Sequence, residues 1–185
     1  MQTALLLIDV QQSFRARPYW SDADLPAFLE RCNALVAGCA ARGIPVVQVF
    51  HTDPPHTADN PFSPASGLVR ALDGLAPFDA ALRMEKHRHS ALVGSELPVW
   101  LHTHGIRRLM VAGIRTEQCC ETTTRHASDE GYEVDYITEA TLTFAMRTPA
   151  GATLTPAQIK ERTETVLVDR FATLCTVEQA LDRAR

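Results

Sequence analysis

Cys119 is the residue with the clearest chemical potential. It follows the apolar run Leu109 to Ala112 through Gly113, Ile114, Arg115 and Thr116. Thr116 is a helix-opening residue, so the thiol is expected in the first turn of a helix, where unpaired backbone N–H groups and the helix dipole favour an anion. Such a place favours a thiolate, and the same amides can hold the oxyanion that forms at an attacked carbonyl. Asp9 directly follows the apolar run Ala4 to Ile8, without the glycine-rich turn that a dinucleotide site needs. Lys86 ends the short stretch Arg83 to Lys86 and is one of two lysines in the chain, the other being Lys160. Taken singly, each has a plainer role: a loop cap or structural ion pair for Asp9, a solvated charge for Lys86, a buried thiol for Cys119. The neighbouring Cys120 points to a different helix face and suits that last role better.

The elements that must position these residues alternate along the chain. The runs 4–8, 46–50 (apart from Gln48) and 109–112 suit strands buried on both faces of a parallel sheet. Between the first two, residues 25–42 carry apolar side chains at helical spacing, and Gly43 stands where that helix would stop. Residues 83–86 read as a short strand, 96–104 as a helix, and 116–129 as a helix ended by Gly131. Residues 133–137 follow as a strand. Thr155, Pro156 and Gln158 open a helix expected to reach about residue 170, with a last strand at 171–175 and a final helix capped by Thr176. The segment 52–77, rich in Pro, Asp, Ser and Gly, is too long for a mere connection and is expected to be a functional loop or lid. Strand–helix alternation implies right-handed crossovers and a parallel sheet covered on both faces, with ligands beyond the carboxyl ends of the strands.

Composition narrows the function classes. A net charge of −4 leaves no basic excess to attract nucleic acid or an anionic membrane surface, so neither is expected as a partner. The run 4–8 is too short to span a bilayer and lacks the flanks of a signal peptide, which points to a cytoplasmic protein. Five cysteines without CxxC spacing fit neither a disulfide framework nor a zinc knuckle and are expected to be reduced. The 185 residues are expected to form one domain spanning 1–185.

Three stretches together resemble the isochorismatase-like cysteine hydrolase superfamily, which includes nicotinamidases and carbamoylsarcosine and ureidoacrylate amidohydrolases. They are LLLIDVQQSF at 5–14, KHRHSAL at 86–92 and VAGIRTEQCCETTTRHASDEGYEV at 111–134. The last carries the specific pattern G-x-x-T-x-x-C followed by Gly-Tyr before the next strand. The resemblance implies a three-layer α-β-α sandwich around a six-stranded parallel sheet in the order 3-2-1-4-5-6, a Rossmann-like arrangement that puts Asp9 and Cys119 at the switch point. It implies a triad in which Asp9 takes the thiol proton and later activates water, while Lys86 favours the thiolate and orients the carboxylate. It also implies a cis peptide between Ile114 and Arg115 that aims the backbone N–H groups of Arg115 and Cys119 at an oxyanion. Phe14 and Leu92, inside the matched motifs, become candidate pocket residues, and a homo-oligomer, a dimer or larger, is expected.

The reaction so implied is hydrolysis of a C–N bond in a small amide, ureido or carbamoyl compound through a Cys119 thioester, without a cofactor. Metal-dependent nicotinamidases of the superfamily carry an Asp-x-His pair and a further His after the second strand. Here His51, Asp53 and His56 stand in that region with the pair reversed, so no metal is expected. Isochorismatases that cleave vinyl ethers lack the nucleophilic cysteine, which argues for amide-type chemistry. A thiol redox protein using Cys119 and Cys120, or an inactive scaffold, are the rivals from other classes; adjacent cysteines make a strained disulfide. Substrate identity is not legible in these residues.

Overall fold

The structure is a computed structural model and describes residues 2–184. Its strands and helices are β1 (Gln2–Ile8), α1 (Leu25–Arg42), β2 (Val46–His51), β3 (Leu82–Lys86), α2 (Leu97–Thr103), β4 (Ile106–Ile114), α3 (Glu121–Asp129), β5 (Glu133–Leu142), β6 (Met146–Arg147), β7 (Thr153–Leu154), α4 (Pro156–Leu167), β8 (Thr173–Leu174) and α5 (Val177–Arg183). Six parallel strands form one sheet in the order β3-β2-β1-β4-β5-β8, and β6 and β7 make a separate antiparallel hairpin. Since β8 is the sixth strand of the main sheet, this is the expected order, and it puts β1 and β4 side by side at its centre.

Alternation along β1 explains why its sequence is apolar throughout. Leu5 and Leu7 belong to the core layer that includes Phe28, Cys32 and Leu35 of α1, whereas Ala4, Leu6 and Ile8 belong to the opposite layer with Leu97, Leu101, Ala127 and Leu167. Each large side chain fully buried this way contributes about 1.5–3 kcal/mol, so the central strand is held from both faces. Gly43 ends α1 in the left-handed conformation, at φ 66°, and both α4 and α5 open on complete capping boxes, Thr155 with Gln158 and Thr176 with Gln179.

Three of the departures from expectation have a visible physical cause. β5 continues past residue 137 to Leu142 because its polar continuation is buried: Thr141 donates to Thr138 O at 2.8 Å and pairs with the Thr116 hydroxyl at 2.8 Å. α4 stops at Leu167, since Val168 turns out to extended backbone and bridges to Ala172, leaving only residues 173–174 for the last strand. Residues Thr116–Cys120 form a π-helical turn ahead of α3, with Cys120 N–H donating to Arg115 O at 3.2 Å. Among the described residues no helix is long and apolar enough to cross a membrane.

Candidate active site

The carboxyl ends of β1 and β4 approach closely because position 113 is glycine. Gly113 lies at φ 132°, and a Cβ there would stand 1.9 Å from Ile8 O. The next residue of each chain segment belongs to the site. Asp9 turns off β1 in the left-handed region at φ 54°, held by its own N–H to Val49 O at 2.8 Å and by Gln11 N–H to Asp9 O at 2.8 Å. A non-glycine residue there is uncommon, so its surroundings must hold it. After Ile114 the peptide to Arg115 is cis, and the π turn then delivers Cys119. A buried hydrogen bond and a buried ion pair hold this turn: Tyr136 Oη donates to Thr116 O at 2.8 Å, and the Arg115 guanidinium stands 2.8 Å from the Glu117 carboxylate. Lys86 arrives from β3, whose last residue is paired in register with His51 of β2.

Asp9, Lys86 and Cys119 meet. Lys86 Nζ stands 2.9 Å from Asp9 Oδ2, with both side chains fully excluded from solvent, and donates to Cys119 Sγ at 3.3 Å. It also donates to Arg88 O at 3.0 Å and approaches His51 Nδ1 at 2.9 Å. Four acceptors thus surround an ammonium that has three protons. The Asp9 contact is the one out of hydrogen-bond alignment, so neither carboxylate oxygen of Asp9 has an aligned donor among the described residues.

His51 is fixed in one tautomer. Its Nδ1 faces the ammonium and must accept, so Nε2 carries the hydrogen and donates to Asp53 Oδ2 at 2.8 Å. Burial, then the nearby Lys86 charge, holds its pKa below the ordinary histidine value, in keeping with a neutral ring. Gln11, itself buried, clamps the backbone of His51 by accepting from its N–H at 2.7 Å and donating to its carbonyl at 3.0 Å.

Charge in this cluster is uneven. Burial works against the Lys86 ammonium, but Asp9 and then Cys119 more than offset it, and its pKa lies above the ordinary lysine value. For Cys119 burial and then Asp9 push the thiol up, Lys86 pulls it down only in part, and the balance lies well above the ordinary thiol range. Burial acts most strongly on Cys119 because 6% exposure leaves little water to solvate an anionic sulfur.

The isochorismatase domain profile matches residues 3–179. The chain belongs to the isochorismatase family, a family of hydrolases. It is 27% identical over 180 residues to the uncharacterized isochorismatase family protein YrdC of Bacillus subtilis, covering 97% of this chain and 94% of that one. Over 65 residues it is 35% identical to the ureidoacrylate amidohydrolase RutB of Caulobacter vibrioides, covering 35% of this chain and 27% of that one. The solved structure of an isochorismatase-family protein from Chromobacterium violaceum superposes with a TM-score of 0.87 at 24% identity, over 99% of this chain and 93% of that one.

In this isochorismatase-family chain the thiol opens on a cavity of about 370 Å³, which Phe14, Tyr19, His51, Phe62, His89 and Gln118 help to line. Phe14 and Phe62 meet edge to face at 5.0 Å, and the Phe62 ring stands 5.9 Å from that of His51. Phe14 thus lies on the lining of this cavity. Leu92 does not: it is buried in the core layer with Leu97 and Met84, because Leu92 N–H and Ala91 N–H are drawn inward by Ser90 and Thr123. Trp20 and Phe144 pack on each other at 5.0 Å, away from the lining. His51 meets Asp53, while His56 stands exposed and outside that pair. Among the described residues the side chains that draw together are Asp9, His51 and Cys119, and the Lys86 ammonium sits at the point on which their ligand atoms converge. His51 as a partner of Lys86, and Gln11 as its clamp, were not foreseen. Gln11 lies inside a motif that resembles the family's, whereas nothing in the sequence ties His51 to Lys86.

Proposed function

We propose that the chain is a cysteine hydrolase that cleaves a C–N bond of a small amide, ureido or carbamoyl compound, with Asp9, Lys86 and Cys119 as its catalytic residues. The observation that carries this reading is the buried Lys86 ammonium, held 2.9 Å from Asp9 and 3.3 Å from the Cys119 thiol that lines the cavity. Asp9 accepts the thiol proton as Sγ forms a bond to the substrate carbonyl carbon, and the carbonyl electrons move onto oxygen. The backbone N–H groups of Arg115 and Cys119 are assigned to that oxyanion. When the tetrahedral adduct collapses, the C–N bond breaks and the Asp9 carboxyl returns its proton to the departing nitrogen. A water molecule then gives a proton to Asp9 and its oxygen to the thioester, and the thiolate leaves and is reprotonated. Lys86 stays charged throughout, stabilising the sulfur when it is anionic. His51 and Asp53 keep Lys86 in place.

The test is ammonia or amine release from a panel of primary amides, ureides and carbamoyl compounds, compared between the native protein and Cys119→Ala. Mass spectrometry of acid-quenched reactions should show an acyl adduct on Cys119. Undiminished turnover by the alanine variant overturns the assignment.

A further inference from the structure

The 3-10 turn Gln12–Ala16 ends at Arg17, whose N–H donates to Phe14 O at 2.9 Å. This directs the Arg17 side chain over the cavity, where its guanidinium carbon lies 5.9 Å from the ring centroids of both Tyr19 and Phe62. The Phe62 ring is the one that meets Phe14 and faces His51, so the guanidinium stands over the same aromatic floor that leads to the thiol. Among the described residues no carboxylate pairs with Arg17, although Arg15 on the same turn is paired with Asp22 at 3.1 Å. The acidic residue of the lining, Asp53, has Oδ2 engaged by His51. An unpaired guanidinium on an aromatic shelf keeps its donor fork free for a planar oxyanion.

We infer that the substrate carries an anionic group, a carboxylate or a group of similar shape, which Arg17 binds while the scissile carbonyl reaches Cys119. This rests on the cysteine hydrolase reading and narrows it to small acids that contain an amide or ureido group. A cavity of about 370 Å³ suits a compound of that size. A charge-assisted contact of this kind is worth roughly a 10- to 100-fold change in affinity.

The experiment reads occupancy of the cavity without requiring turnover. Alkylation of Cys119 by iodoacetamide is followed by intact mass at mildly alkaline pH, with 3-ureidopropionate or its neutral amide as protectant. In the native protein the carboxylate should protect at a concentration at least about tenfold lower than the amide. Arg17→Gln should remove that preference, and Arg17→Lys should keep part of it, since the charge remains without the planar fork. Equal protection by the two compounds, absence of protection by both, or a preference that survives Arg17→Gln overturns the inference. If protection follows charge while no amide in the panel is hydrolysed, the anion site stands and the hydrolase assignment fails.

Discussion

The Asp9–Lys86 pair offers the most quantitative test of the site. At 2.9 Å, with both side chains fully buried, the attraction at an effective dielectric of about 20 is roughly 6 kcal/mol, set against the desolvation of both ions. Lys86→Met keeps the stem volume and removes the charge, leaving Asp9 as an uncompensated buried carboxylate. The expected cost is about 3–5 kcal/mol of folding stability at neutral pH, or a fall in Tm of roughly 6–20 °C for a chain of this size. Asp9→Asn leaves the ammonium with His51, Arg88 O and Cys119 Sγ as acceptors and should cost less. The double variant removes both charges together, so its loss should be smaller than the sum of the single losses by at least about 1–2 kcal/mol. Urea unfolding of the four proteins gives the coupling energy, and ammonia release gives the activity, which should be lost in all three variants. Single losses that add to within about 0.5 kcal/mol would refute the picture of a buried pair held for chemistry.

Three further outcomes follow from particular contacts. Cys120→Ala should retain turnover and cost about 1 kcal/mol, since Cys120 is fully buried in the core layer while its neighbour lines the cavity; loss of turnover comparable to Cys119→Ala would contradict that division. Gly113→Ala should destabilise by at least about 3 kcal/mol, measured by thermal unfolding, because its Cβ would lie 1.9 Å from Ile8 O at a φ of 132°. All five thiols are pushed up by burial, Cys175 to about 11 and Cys39 to about 12, from an ordinary value of 9.0. Above that value the unfolded chain releases these protons and the folded chain keeps them. The thiols' contribution to stability is therefore fully present below pH 9.0 and should be lost as pH rises above it, until each folded value is passed. Denaturant midpoints that do not drop between the neutral and alkaline ranges would show the thiols to be less buried than this.

What the sequence disclosed and what it withheld divide along physical lines. The central strands were legible because burial on both faces leaves little room for polar residues, as Leu5 to Ile8 illustrate. That Asp9, Lys86 and Cys119 come together was legible only through the motifs that resemble a known family: each lies at or beyond the carboxyl end of a strand of the one parallel sheet, but taken singly each reads as an ordinary residue. The continuation of β5 was hidden because Thr141 satisfies its hydroxyl within the fold, on Thr138 O and the Thr116 hydroxyl, and a buried threonine reads in sequence as a surface residue. Leu92 was misplaced for the complementary reason: a leucine next to a catalytic motif can face the cavity or the core, and only the inward pull of Thr123 and Ser90 on the backbone decides which. His51 is the strongest instance. A histidine beside Asp53 and near His56 offers lone pairs that suit a metal, and sequence cannot tell which nitrogen is free. The register of β2 with β3 sets Lys86 opposite His51, the ammonium takes Nδ1, Asp53 takes the Nε2 hydrogen, and the ring becomes a strut for the lysine. Strand pairing that joins residues 35 positions apart thus changes the chemical role of a side chain without changing its type.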